Sequence, residues 1–162
     1  MQKFKRRLLT WLSVLALFVG AQFLVNRDLV SGTPPTIQGQ TVDGERFDLA
    51  GFHGRPSIIY FWASWCRICE AMQGSVRAVA RDHALISLAL QSGGQAEVSR
   101  YMQERGFDPR VLLDEDGAIG KRYGIRGVPA VFVLGPDGAI RYSTVGYTSE
   151  LGLRLRLWLA GL

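Results

Sequence analysis

A short run of β-branched and aromatic residues leads directly to the only two cysteines of this chain. Residues 57–62, Ser-Ile-Ile-Tyr-Phe-Trp, have the length and composition of a buried strand, and Cys66 and Cys69 follow shortly after it. From Cys66 to about His83 the apolar positions recur near the 3.6-residue period of a helix. The two cysteines are therefore predicted to lie where a buried strand passes into a helix.

Alternating strand and helix signals continue through the rest of the chain. We predict, in order, a hairpin around Asp43-Gly44 over 37–49, a strand over 84–90, a helix ending near 105, a short strand over 110–114, a short helix after 117 and a hairpin over 130–146. Buried strands that alternate with helices and end in a hairpin indicate an α/β fold. Its central sheet is expected to be mixed, with helices on both faces.

The last segment fits two kinds of secondary structure. Its apolar residues alternate as in a strand, but Thr148 or Ser149 can cap a helix, and Glu150 would lie in the first turn. We predict a helix. Its apolar face is expected to consist of Leu151, Leu155, Trp158, Leu159 and Leu162.

An uncharged apolar stretch over 8–25 follows four basic residues, Lys3, Lys5, Arg6 and Arg7. As a helix it would be ~27 Å long, close to the ~30 Å hydrocarbon core of a bilayer, and the basic residues would stay on the cytoplasmic side. A cleaved signal peptide is the alternative, but the apolar run continues past the small residues at 19–21 and so favours an anchor. We predict a cytoplasmic segment 1–7, a transmembrane anchor 8–25, a linker 26–36 and an exported domain 37–162.

Most of the positive charge belongs to the N-terminal segment. Residues 1–28 carry +4 of the formal net charge of +5, so the remaining residues are nearly neutral. The composition therefore gives no support to nucleic-acid binding.

Three kinds of site could use Cys66 and Cys69. A permanent structural disulfide between residues so close in sequence would remove little chain entropy, which argues against that role. Zinc would need two more ligands, and the two histidines, His53 and His83, lie far apart in sequence. A Cu(I) site made of two thiolates needs fewer ligands. A Cu(I) site and a redox-active dithiol therefore remain as the two alternatives.

Several separated motifs together resemble the thioredoxin superfamily. The segment FWASWCRIC (61–69) is similar to its active-site turn, KRYGIRGVPA (121–130) to its cis-proline segment, and VFVLGPDGAIR (131–141) to the hairpin that follows. The N-terminal extension and the extra βα unit around 84–113 resemble the membrane-anchored TlpA-like branch. Residues 146–160 resemble the suppressor-of-copper-sensitivity D proteins within it. The resemblance implies a thioredoxin-like fold with an N-terminal hairpin extension and one inserted βα unit.

The resemblance also implies roles for single residues. Cys66 would be the attacking thiol and Cys69 the resolving one. Pro129 would be the cis-proline facing them, and it would bind substrate together with Val128 and Trp65.

The residues near the cysteines differ from the common thioredoxin pattern. Arg67 replaces a glycine, and we expect Arg67 and Ile68 to tune the redox properties; a solvated guanidinium would favour the thiolate by ~1 kcal/mol. Tyr60 stands where thioredoxins usually have a buried acid that accepts the proton of the second cysteine. We therefore expect the deprotonation of Cys69 to rely on water.

The function implied is that of a protein thiol-disulfide oxidoreductase, anchored in the inner membrane with its domain in the periplasm. It would exchange disulfides with protein partners and pass electrons to or from another redox protein, such as a DsbD-type membrane reductant. No cofactor or metal is expected beyond the Cys66–Cys69 couple. The alternative is a Cu(I)-binding module for copper tolerance that uses the same two thiolates.

Overall fold

The computed structural model describes residues 26–162 without a gap and, before them, residues 6, 7, 11, 14, 17 and 20. Within this set, no helix has both the length and the apolar character needed to cross a membrane. The predicted anchor, 8–25, and the basic segment, 1–7, lie mostly outside the described residues. Both stay predictions.

Residues 38–160 contain seven strands and four α-helices in the predicted order. The elements are β1 (Gln38–Gln40), β2 (Arg46–Asp48), a 3₁₀ helix (Leu49–Phe52), β3 (Ser57–Trp62), α1 (Arg67–Ala80), β4 (Ala84–Leu90), α2 (Gln95–Arg105), β5 (Val111–Asp114), α3 (Ala118–Arg122), β6 (Ala130–Leu134), β7 (Ile140–Val145) and α4 (Glu150–Ala160).

Five strands form the central sheet in the order β5-β4-β3-β6-β7. The β3–β4 and β4–β5 pairs are parallel, whereas β6 is antiparallel to both β3 and β7. β1 and β2 make a separate antiparallel hairpin. The prediction of a mixed central sheet with flanking helices is confirmed, and so is the N-terminal hairpin.

Alternate side chains of β3 point into two cores, one on each face of the sheet. Ile58, Tyr60 and Trp62 pack with α1, α2 and α4, whereas Ile59 and Phe61 pack with Tyr123 and the N-terminal segment. Every residue of β3 is buried, which explains why the sequence of this strand is an almost continuous apolar run. This central position fixes the point at which the chain leaves the sheet and enters α1.

The segment 26–36, which we predict as a linker, is packed along the domain. The Val30 N–H donates to the Tyr123 carbonyl (3.3 Å), and the Tyr123 hydroxyl donates to the Pro35 carbonyl (2.7 Å). Farther along, the Ile140 N–H donates to the Gly32 carbonyl (2.7 Å). The sequence suggested a spacer because Pro and Gly are common there, but these long-range hydrogen bonds are invisible to local pattern.

The last segment is a helix, as predicted, but its buried face differs from the predicted one. Ser149 caps α4 by accepting a hydrogen bond from the Gly152 N–H (3.3 Å), and the buried side is formed by Leu153, Leu157 and Ala160. The residues expected to form the core face, Leu151, Leu155, Trp158, Leu159 and Leu162, are exposed. Apolar residues occupy both sides of this helix, so periodicity alone could not choose between them.

Candidate active site

Cys66 is the N-cap residue of α1. Its backbone is extended (φ −95°, ψ 105°), and its sulfur accepts a hydrogen bond from the Cys69 N–H at 3.1 Å. The first N–H groups of a helix have no partner within the helix and form the positive end of its dipole. Negative charge on the Cys66 sulfur would therefore be stabilised here.

Cys66 and Cys69 form a disulfide in this structure, with their Cα atoms 5.2 Å apart. The two sulfurs differ in access, because Cys66 is 8% exposed whereas Cys69 is 0% exposed. A partner thiol arriving from solvent therefore meets Cys66 first. Cys69 is covered by the core between α1 and the sheet.

The loop before β6 faces the disulfide. The Val128–Pro129 peptide bond is cis, as the resemblance implied, and the Cys66 Sγ lies 3.5 Å from the Val128 carbonyl oxygen. In the disulfide the sulfur has no proton to donate, so this approach is a contact and not a hydrogen bond. The Pro129 carbonyl accepts from the Gly146 N–H (2.8 Å), which ties the loop to the end of β7.

Trp65 stands at the rim of the site. Its side chain is 63% exposed, and its indole N–H donates to the Gln91 carbonyl at 3.1 Å. The loop after β4 makes a second contact with the segment before Cys66, because the Ser64 N–H donates to the Ser92 hydroxyl at 3.0 Å. Trp62 lies in the core, where its indole N–H donates to the Ser87 hydroxyl (3.3 Å).

Arg67 and Ile68 occupy the first turn of α1 with exposed side chains. Their position beside Cys66 is the predicted one. Because the guanidinium is solvated, its effect on the sulfur is screened, and the tuning role of both residues stays a prediction.

Two tyrosines that sequence reasoning did not connect, Tyr60 and Tyr101, belong to or pack against the buried cluster that contains Cys66 and Cys69. Tyr60 is 1% exposed, and its hydroxyl has no hydrogen-bond partner among the residues described. Burial raises the pKa of Tyr60, and the neighbouring Tyr101 adds to that rise. On α1, one turn after Cys69, the Gln73 amide donates to the Tyr101 hydroxyl at 2.8 Å. Only the unusual residue at Tyr60 hinted at this group.

Within the described part of the chain, no cluster of three or more His, Cys, Asp or Glu side chains could hold a metal ion. A Cu(I) site of two thiolates would need both sulfurs reduced, whereas here they are bonded to each other.

The chain is similar in sequence to two named proteins and in structure to a third. A Haemophilus influenzae protein named "Thioredoxin-like protein" is 28% identical over 163 aligned positions, which cover 98% of this chain and 97% of the relative. "Thiol:disulfide interchange protein DsbE" of Allochromatium vinosum is 30% identical over 95 positions, 57% of this chain and about half (52%) of that protein. The crystal structure of a thioredoxin-family thiol:disulfide interchange protein from Chlorobium tepidum matches with a TM-score of 0.67 at 25% identity, over 82% of this chain and 98% of that one.

These relatives confirm the predicted class of enzyme, a thiol-disulfide oxidoreductase with a thioredoxin-like fold. The match to a family model covers residues 30–143, which include both cysteines and the Val128–Pro129 loop. The chain thus belongs to the AhpC/TSA family.

Proposed function

We propose that this chain is a membrane-anchored periplasmic oxidoreductase that exchanges disulfides with protein partners through Cys66 and Cys69. One observation carries the proposal: the accessible sulfur of the pair is the N-cap of a helix and accepts the Cys69 N–H, while its mate is buried. This arrangement separates an attacking group from a resolving group.

In the reducing direction, the Cys66 thiolate attacks a disulfide of the partner and forms a mixed disulfide. The Cys69 N–H and the helix dipole favour the thiolate before the attack and after its release. Cys69 lies one helical turn on and in contact range of the same sulfur, so it can attack Cys66 and release the reduced partner. The oxidising direction is the reverse of these steps.

The partner would bind along the edge formed by Trp65 and the Val128–Pro129 loop. Val128 presents its carbonyl beside the reacting sulfur, and Trp65 offers an exposed apolar ring. An extended segment of a partner protein has the backbone donors and the shape that such an edge can pair with. The couple itself carries the two electrons, so the proposal includes no diffusible cofactor.

The proposed location of the protein and its proposed electron partner rest on the N-terminal sequence. Residues 8–25 are long and apolar enough for an inner-membrane anchor, and the basic residues before them would place the domain in the periplasm. A DsbD-type membrane reductant would fit as the electron partner of a domain held at that surface. A role in copper tolerance rests on the sequence resemblance.

Trapping of mixed disulfides tests the proposal. In Cys69→Ser, Cys66 can attack a partner but nothing resolves the product, so a covalent complex with disulfide-containing protein should accumulate and disappear on reduction. Cys66→Ser is the matched control and should trap far less, because Cys69 is buried. The proposal would be overturned if both variants trapped equal amounts of partner protein. It would also be overturned if neither variant trapped any partner protein, whether that protein was supplied oxidised or reduced.

A further inference from the structure

The chain is bound to the domain from the first residue after the proposed anchor, 8–25. The Leu29 N–H donates to the Asn26 carbonyl (3.1 Å), and the Val30 N–H donates to the Tyr123 carbonyl (3.3 Å). Leu29 itself is 8% exposed and belongs to the same core cluster as Tyr123. The domain therefore begins where the anchor ends, with no free spacer between them.

This attachment lies at the active-site end of the central sheet. The Val145 N–H donates to the side-chain oxygen of Asn26 at 3.2 Å. Val145 is the register partner of Ala130, the first residue of β6. The Cys66 Sγ lies 3.5 Å from the carbonyl oxygen of Val128, two residues earlier, so the Asn26 Cα lies within about 25 Å of the reacting sulfur.

A second set of contacts joins the same segment to the loop that carries the cis-proline. The Arg126 guanidinium pairs with the Asp28 carboxylate at 3.1 Å. Gly124 has φ of +70°, and a Cβ there would overlap the Asp28 carbonyl oxygen, so the two backbones are in close contact. Gly124 and Arg126 lie five and three residues before Pro129. The end of the anchor and the active-site loop are thus held together as one unit.

The docked segment removes the freedom that a flexible spacer would give the domain. As a free spacer, residues 26–36 could span up to about 36 Å. A domain of this size is roughly 35–40 Å across, so either end could then turn toward the bilayer. With the segment docked, only the active-site end lies next to the point where the chain enters the membrane.

The opposite end of the domain is defined by the starts of the parallel strands. Ser57 and Ala84, the first residues of β3 and β4, are register partners at the end away from Cys66. α1 runs from Cys66 back toward that end, and its C-cap is Arg81. The rise of a helix places Arg81 about 22 Å from Cys66 along the axis.

Exposed aromatic side chains lie at the active-site end. Trp65 is 63% exposed and Tyr147 is 57% exposed. Tyr147 follows Gly146, whose N–H donates to the Pro129 carbonyl. Trp and Tyr are the side chains enriched where a protein meets the headgroups of a bilayer. These two rings therefore suit a site that works close to lipid headgroups.

Given the membrane anchor of the proposed function, we propose that the docked segment turns the active-site end toward the bilayer, so that the protein partner of Cys66 is an integral membrane protein with its cysteines at the bilayer surface. Such cysteines lie at the height of the Cys66 sulfur. A soluble protein would have to enter between the domain and the lipid. The exchange is the two-step reaction described above, and the geometry selects the partner.

The test compares thiols at the two ends of α1 in the full chain, reconstituted in phosphatidylcholine vesicles. Cys66 is followed in Cys69→Ser. The matched control is Arg81→Cys in a chain that also carries Cys66→Ser and Cys69→Ser, because Arg81 is exposed at the far end of the same helix. Each thiol is offered a pyridyl disulfide attached to a phosphatidylethanolamine headgroup. A soluble pyridyl disulfide corrects for intrinsic reactivity. The corrected rate with the lipid probe should be at least 10-fold higher for Cys66.

Restoring the slack should abolish this preference. An insertion of about twelve Gly and Ser residues between Val25 and Asn26 gives a reach of ~20 Å and should lower the corrected rate of Cys66 at least 3-fold. Gly124→Ala, which displaces the segment at Asp28, should change the rate in the same direction. Gly32→Ala is its control and should leave the rate unchanged, because a Cβ there meets nothing within 4 Å.

The orientation is refuted if the two ends of α1 give equal corrected rates, or if Arg81→Cys reacts faster with the lipid probe. It is refuted equally if the insertion leaves the rate of Cys66 unchanged. Failure of the proposed function gives different results. A chain that does not float with the vesicles in a density gradient contradicts the anchor, and a Cys66 thiol that is inert toward the soluble disulfide contradicts the exchange activity.

Discussion

Replacement of Gly124 by alanine tests how firmly the segment 26–36 is held on the domain. Gly124 has φ of +70°, and a Cβ at this position would lie 1.8 Å from the Asp28 carbonyl oxygen. The left-handed conformation alone costs an alanine about 1–2 kcal/mol. Because the clash is with backbone, rotation of a side chain cannot relieve it. The segment around Asp28 must move away.

The cost of that movement follows from the contacts it breaks. Leu29 is 8% exposed, and burial of a leucine side chain contributes about 1.5–3 kcal/mol. The hydrogen bond from Val30 to Tyr123 contributes about 0.5–1.5 kcal/mol. Gly32 provides the matched control, because its φ is +72° and a Cβ there meets nothing within 4 Å. Gly32→Ala should show the strain cost alone, and Gly124→Ala should lose about 2–4 kcal/mol more.

Urea unfolding of the full chain in a mild detergent, with the disulfide intact, measures this difference. Gly32→Ala should keep the m-value of the unsubstituted protein, whereas Gly124→Ala should lower it slightly, because its native state already exposes part of the segment. If the two alanine variants unfold within about 0.5 kcal/mol of each other, the segment is not docked as described and the reasoning fails.

Two further predictions concern buried ionisable groups. The Asp114 carboxylate accepts the N–H groups of Ile119 and Gly120 at 2.9 and 2.7 Å, so Asp114→Asn should lower the free energy of unfolding by about 2–3 kcal/mol in urea; a loss under about 0.5 kcal/mol would contradict this. Burial raises the pKa of Tyr60 and Tyr123, so the unfolded chain loses these protons first. The free energy of unfolding should therefore stay constant up to about pH 9 and fall as pH rises past 10, by at most ~1.4 kcal/mol per pH unit for each tyrosine. Tyr123→Phe should make this fall with pH shallower. An unchanged slope would refute the assignment of part of the fall to Tyr123.

The parts of this fold that sequence could predict are those with local signatures. β3 and β4 are continuous apolar runs, the turn at Pro136-Asp137-Gly138 marks the β6–β7 hairpin, and Ser149 gives α4 its cap. Cys66 was correctly expected at the start of a helix, because the strand pattern ends before it and the helical period begins after it. Each of these inferences needed only neighbouring residues.

The parts that sequence could not predict depend on contacts between distant residues. The segment 26–36 looks like a spacer until Tyr123 and Ile140 are seen to bind it. In α4, both sides are apolar, and only packing against α1 and the sheet selects Leu153 and Leu157 for the core. Likewise, Tyr101 becomes part of the site only because α2 brings it onto Trp62.

The central claim is that Cys66, once reduced, is held as a thiolate by the start of α1. The rate of its alkylation as a function of pH, measured in Cys69→Ser so that one thiol reacts, tests this most directly. The position of the sulfur predicts a midpoint below about 8.5, the pKa of free cysteine, and a rate at pH 7 well above that of glutathione. A midpoint at or above that value, with a rate no faster than that of glutathione, would contradict the account.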